Sequence, residues 1–321
     1  MSTAAPIRGG AARCLFPEGG PEHRDSEPAG PSPFASGDEI APGYRVLEHL
    51  HRGADYDTYD VWSEVRFARC CIKTARGDRC EDRMIRRHLL LEGRLLTSLA
   101  HPHLVRGYEL IRCARPQPPV LVLETLSGVT LAYIIDDLGQ RLPAAALGHL
   151  GRHLCSVTRY LHGAGYLHLD IKPGNIITNA GRAQLIDLSL ARPPGRYRRG
   201  SGTPAYMAPE QIRGGHLGPA TDVWGIGLVL YEAATGFAPF DLPGPTPSVR
   251  RRTATADLAD RYPQLTRRAP RIRARRRLAH PVADAIDACL APDPDRRPTL
   301  AALDAALAAL TGHDTPAPGP T

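Results

Sequence analysis

Apolar residues follow two different periods along the chain, and the change between them falls near residue 126. Between Tyr44 and Leu126 they gather in short runs, YRVLEHL, YDVWSEV, ARCCIK and VLVLETL, which predict strands. One segment breaks this pattern. From about Glu81 to Leu99, Leu91, Leu95 and Leu99 recur at helical spacing and predict a single helix among the strands. Beyond about Thr130 the helical period dominates, in LPAAALGHLGRHLCSVTRYLHG, ATDVWGIGLVLYEAATG, PVADAIDACL and LAALDAALAAL. Within this half, Ile176–Ile177, the turn residues Asn179–Gly181 and Leu185–Ile186 predict a short strand–turn–strand. The expectation is an α+β chain in two lobes with a cleft between them: a β-rich N-lobe over about 43–126 with one key helix, and a mainly helical C-lobe over about 127–311.

The flanks carry no such period. Residues 1–42 are rich in Pro, Gly, Ala and Ser, and 312–321 read GHDTPAPGPT after Thr311. Segments of this composition bury too little apolar surface to offset the entropy of ordering, so a disordered leader and tail are expected. No stretch approaches the ~20 apolar residues of a membrane span, and MSTAAPIRGG opens no signal-type apolar region. Seven cysteines show neither C-x-x-C pairs nor zinc spacing, which fits reduced thiols. A cytoplasmic chain is the expectation.

Charge changes the picture in one respect. The net charge is +7, yet only two of the 40 basic residues are lysines, Lys73 and Lys172. The arginines concentrate at 192–199, 250–252 and 267–277. Without a zinc finger or basic–aromatic interleaving, they read as a solvated face rather than a nucleic-acid surface. The two lysines are the informative minority, because an ammonium is a compact point charge and a guanidinium a broad planar fork. Lys172 stands in HLDIKPGNII, followed by IDLS, so that Asp170, Asn175 and Asp187 fall on loops around the short strand pair. Carboxylates with an amide suit Mg²⁺, a hard ion that takes oxygen ligands and shares its shell with phosphates.

Here the chain resembles the Hanks-type (eukaryotic-like) serine/threonine protein kinases, in the style of the soluble actinobacterial type. HLDIKPGN matches their catalytic loop, CCIK their strand lysine, HPHLV the segment after their helix glutamate (here Glu92), and GTPAYMAPE the end of their activation loop. TDVWGIG and DPDRRPT follow in family order, the latter supplying Arg297 as partner for Glu210. The resemblance runs from about Tyr44 to Leu310. It implies a bilobal protein-kinase-like fold and ATP-dependent phosphoryl transfer to Ser/Thr hydroxyls of protein substrates, with ATP and Mg²⁺ (or Mn²⁺) as cofactors. By resemblance, Asp170 orients the substrate hydroxyl and Lys172 offsets charge on the transferred group. Asn175 and Asp187 hold the metal, and Lys73 with Glu92 places the phosphates. Gly53, Cys71, Leu123, Glu124, Leu126 and Ile177 would line the nucleotide site, and Thr203 would pack by Asp170 and Lys172. Asp222 would be the buried acid of its helix; read alone, it could equally be a helix cap.

The resemblance has gaps. The three glycines of the phosphate loop correspond to His51, Gly53 and Tyr56, with Asp55 and Asp57 adding negative charge, so weakened ATP affinity is expected. Leu169 stands where regulated members carry an arginine, so loop phosphorylation is not expected to be the main on-switch. Asp187-Leu188-Ser189 replaces D-F-G. Alternatives are a pseudokinase scaffold, a small-molecule kinase lacking the GTPAYMAPE platform, and an arginine-rich nucleic-acid binder. Acidic protein partners and autophosphorylation, with Ser201 and Thr203 as candidates, complete the expectations.

Overall fold

The computed structural model describes residues 34–113, 117–240 and 258–312. Most of the expected leader and tail lies outside these residues. Where the leader is described, it differs from expectation: β1 (Glu39–Ala41) pairs antiparallel with β2 (Tyr44–Arg52), and Ala41 is buried. Three residues are too few to display a period, so this strand is defined by its neighbour and not by its own pattern.

The first lobe is a six-stranded sheet in the order β1-β2-β3-β4-β6-β5, where β3 is Tyr56–Ser63, β4 Ala68–Ala75, β5 Gly107–Ile111 and β6 Val120–Glu124. Alternation sorts its two faces. Tyr59, Val61, Cys70, Ile72, Val120 and Val122 form one apolar layer, while Cys71, Lys73 and Leu123 face the cleft. The single helix expected at 81–99 is α1 (Arg83–Ser98), started by Asp82, whose carboxylate accepts the N–H groups of Met84 and Ile85. Leu89, Leu95 and Leu96 bury its inner stripe. Two glycines allow its close approach to β5. A Cβ on Gly93 would stand 2.6 Å from Leu110 Cδ1, and one on Gly107 2.7 Å from the Leu96 carbonyl carbon.

The second lobe begins with β7 (Val129–Thr130) and α2 (Ala144–Gly163). The expected strand pair is β8 (Ile176–Asn179) and β9 (Arg182–Leu185), joined to β7 as a three-stranded sheet. Then follow β10 (Gly195–Tyr197), α3 (Pro209–Arg213), β11 (Gly215–Leu217) and α4 (Pro219–Thr235), with β10 paired to β11. The short α5 (Leu258–Arg261) precedes α6 (His280–Cys289) and α7 (Leu300–Ala308). Helix α4 is apolar nearly all round and buried along most of its length, packed between α2 and α6. One core cluster runs from Leu95, Leu96 and Val105 through Leu185 and Leu188 into α4, so the lobes share packing behind the cleft. Among the described residues, no helix is long and apolar enough to cross a membrane.

Candidate active site

The cleft between the lobes holds about 560 Å³. Its roof is the inner face of β2–β4, its back is β6, and its floor comes from β8 and the loops before and after the β8–β9 pair. Gly53, Cys71, Lys73, Glu92, Leu123, Glu124, Leu126, Lys172, Asn175, Ile177 and Asp187 all line it. Eleven positions spread over more than a hundred residues of sequence thus meet at one cavity. Asp170 sits beside the cleft, bonded to two residues that line it.

At the back, Lys73 Nζ donates to Glu92 Oε1 and Oε2 at 3.1 and 2.9 Å and pairs with Asp187 Oδ1 at 2.9 Å. Thr58 of β3 is its cross-strand partner. Glu92 is 0% exposed. Read alone it would be a solvated helix acid; the sheet packed over α1 makes it a buried partner instead. Burial opposes the charge on Lys73, but Asp187 and Glu92 outweigh it and hold the ammonium's pKa above its ordinary range. The same balance keeps Asp187 well below the usual carboxylate range: burial raises it, and Lys73 with the Ser189 N–H more than compensates. Leu188 is fully buried as an apolar plug, and its N–H donates to Glu92 Oε1 at 3.2 Å.

Toward the front, Asp170 is held from three directions. Its Oδ1 accepts the Thr203 N–H at 2.9 Å, while Oδ2 accepts from Asn175 Nδ2 at 3.1 Å and pairs with Lys172 Nζ at 2.9 Å. Lys172 also donates to Thr203 Oγ1 at 2.6 Å. With the Asn175 amide nitrogen committed to Asp170, its carbonyl oxygen is the end left to accept or ligate. Among the described residues no three His, Cys, Asp or Glu side chains form a metal cage. Asp187 and Asn175 together offer a sparse oxygen set, which fits an ion that completes its shell with water and phosphate.

The backbone around these groups is also prescribed. Asp222 is not the cap of α4, a place taken by Gly218. It is 1% exposed and accepts the N–H groups of His168 and Leu169 at 2.9 and 2.8 Å, with His162 Nε2 at 2.8 Å. These bonds hold Leu169 at φ +67°, a left-handed position that leucine rarely takes. Gln211 Nε2 bonds the carbonyls of both Leu169 and Ser201, tying the 201–207 segment to the 168–175 loop.

A family model described as a protein kinase domain matches residues 44–307. The chain belongs to the protein kinase family. Among its relatives, the serine/threonine-protein kinase PknB of Mycobacterium tuberculosis is 30% identical over 226 residues, covering 61% of this chain and 36% of PknB. The SNF1-related protein kinase catalytic subunit alpha KIN12 of Arabidopsis thaliana is 29% identical over 207 residues, covering 63% of this chain and 41% of that protein. The chain therefore spans well under half the length of these relatives. The PknI kinase domain of Mycobacterium tuberculosis superposes with a TM-score of 0.66 at 19% identity, over 88% of this chain and 100% of that one. That likeness establishes the bilobal kinase fold.

One detail of this kinase site differs from the expectation drawn from sequence. Asp57 adds no charge to the cleft: it is 3% exposed on the opposite face of β3, where Arg52 and His49 bind its carboxylate at 3.1 Å. Alternation along β3 carried the signal, since Asp57 shares the parity of Tyr59 and Val61. Glu124 lines the cleft, and its side chain accepts the Arg106 N–H at 2.8 Å. Sequence reasoning also passed over Tyr56 as anything more than a missing glycine.

Proposed function

We propose that this chain transfers a phosphoryl group from ATP to Ser or Thr hydroxyls of protein substrates. The observation that carries the reading is the meeting of Lys73–Glu92–Asp187 and Asp170–Lys172–Asn175–Thr203 at one cleft. Relatives named as serine/threonine kinases support the choice of acceptor.

In this reading the fold supplies positioning and charge, which account for most catalysis of phosphoryl transfer. Lys73, kept charged by two carboxylates, places the α- and β-phosphates. The backbones of Glu124 and Leu126 would serve the adenine edge, with Cys71, Ile177 and Leu123 supplying the apolar lining. Asn175 and Asp187 would hold Mg²⁺ or Mn²⁺, which would supply charge to neutralise the phosphates. Asp170, its carboxylate fixed by three donors, orients the acceptor hydroxyl and takes its proton. Lys172 spans Asp170 and Thr203 where negative charge develops. The exposed Arg196, Arg198 and Arg199 on the segment leading to Thr203 favour substrates with acidic stretches nearby.

The test is labelled ATP with Mg²⁺ or Mn²⁺ on the purified chain and a mixed protein substrate, wild type against Asp170→Asn, with phosphoamino-acid analysis of the product. Label on Ser and Thr that falls by about a hundredfold or more in the variant is expected. Equal incorporation by both proteins overturns the reading.

A further inference from the structure

Tyr56 stands where the phosphate loop departs from the glycine pattern, and its side chain makes contacts no glycine could make. Its carbonyl closes the β2–β3 hairpin by accepting the Gly53 N–H at 2.8 Å. It lies opposite Ala75, two residues along from the Thr58–Lys73 pair, so alternation puts its ring on the face that carries Lys73. The ring lies over the ammonium, with Nζ 4.7 Å from its centroid. The phenol O–H reaches past it to α1 and donates to the Ile85 carbonyl at 3.0 Å.

The consequences for Lys73 are specific. Three ammonium contacts go to Glu92 and Asp187, and the aromatic face covers a further side, a cation–π contact that strengthens where water is excluded. The phenol stays a neutral donor. Burial raises its pKa beyond the ordinary range, Lys73 opposes this, and the carboxylates of Glu92, Asp187 and Asp55 add to it.

Among the described residues, the first turns of α1 have few other hydrogen-bonded ties. Asp82 caps them from within the chain, and Arg86 bonds the carbonyls of Cys113 and Gln117, both at 2.7 Å. Neither reaches the cleft. Tyr56 and Glu92 do, from the roof and from the helix, and both converge on Lys73.

We propose that Tyr56 is a positioning residue: its phenol latches the phosphate loop to α1 while its ring confines Lys73, so the Lys73–Glu92 pair is assembled from within the N-lobe by a side chain of the cleft itself. The kinetic part of this proposal rests on the cleft being the ATP site. The latch does not, and the two are tested separately.

Amide hydrogen exchange on the full chain without nucleotide compares wild type, Tyr56→Phe and Tyr56→Gly. Tyr56→Phe keeps the ring and loses the bond to Ile85. Its peptides over 83–90 are expected to exchange about fivefold faster, the worth of one net hydrogen bond, with α4 unchanged. Tyr56→Gly loses ring and bond, and a larger acceleration at 83–90 is expected. In steady-state kinetics with ATP varied, Tyr56→Phe lowers kcat by about fivefold with KM for ATP nearly constant. Tyr56→Gly lowers kcat further while KM for ATP falls, because the backbone N–H can approach phosphate more closely. Unchanged exchange at 83–90 in both variants overturns the latch. A rise in KM at constant kcat also overturns it, making Tyr56 a nucleotide contact only. A wild type without phosphoryl transfer would overturn the proposed function, and the exchange measurement would still decide the latch.

Discussion

Two side chains show how environment assigns chemistry that residue type leaves open. Lys73 is enclosed by Glu92, Asp187 and the Tyr56 ring, a space shaped to a point charge. Lys73→Arg keeps the charge but needs room for a planar fork. It is expected to lower kcat/KM for ATP by about a hundredfold or more, measured by peptide phosphorylation, with the thermal midpoint within a few degrees of wild type. Glu232 is the second case. It lies buried on α4, accepting the Tyr206 hydroxyl at 2.9 Å, and burial pushes it up from 4.5 to about 8, with Tyr206 opposing and Asp136 adding. The folded chain then keeps a proton that the unfolded chain releases. Stability from this group is full below about 4.5 and is lost as pH rises toward about 8. Glu232→Gln cannot ionise, so its thermal midpoint relative to wild type is expected to rise between pH 5 and 8.5. A constant difference would show that Glu232 is charged in the fold.

At the scale of elements, contacts within the chain hold the 195–217 segment. Strand β10 pairs with β11, Gly200 N–H donates to the Gln211 carbonyl at 3.0 Å, and Gln211 bridges Leu169 and Ser201. Leu169 itself packs with Leu167, Leu217 and Tyr197 in a small apolar cluster. An arginine there would read a phosphate; a leucine reads only apolar surface. Phosphatase treatment is therefore expected to leave at least about half of the activity, and near-complete loss would contradict this account. Helices α1, α2, α6 and α7 were legible from period because each holds an apolar stripe for two or more turns, and α4 from an apolar run too long for a strand. Strands β1, β5, β7, β10 and β11 were not. Each spans five residues or fewer, and partners distant in sequence create it.

At the scale of the molecule, Arg297 joins three parts of the C-lobe. Its guanidinium binds Glu210 of α3 through two bonds of 2.7 and 2.8 Å, donates to the carbonyls of Ala220 and Ala291, and lies over the Trp224 ring at 5.1 Å. The side chain is 0% exposed. Removing it leaves Glu210 without its buried partner, at a cost of about 3 kcal/mol or more. Arg297→Ala is expected to lower the thermal midpoint by about 5–10 °C, and Arg297→Lys to recover little, since the bidentate fork is what the site uses. Retention of the wild-type midpoint by the alanine variant would remove this tie from the account.

The order of motifs, the lone lysines and the two hydrophobic periods belonged to the sequence, because local spacing and residue chemistry survive without a fold. They were enough for two lobes, a cleft and a roster of candidates from Gly53 to Asp187. What only the tertiary structure decided was direction. Whether Asp57 faced the cleft, whether Asp222 capped a helix or braced the 168–175 loop, and whether Tyr56 was a gap or a contact depended on which surface each strand and helix turned toward its neighbours. A side chain's partners are set by packing between segments far apart in the chain, and no local period encodes that.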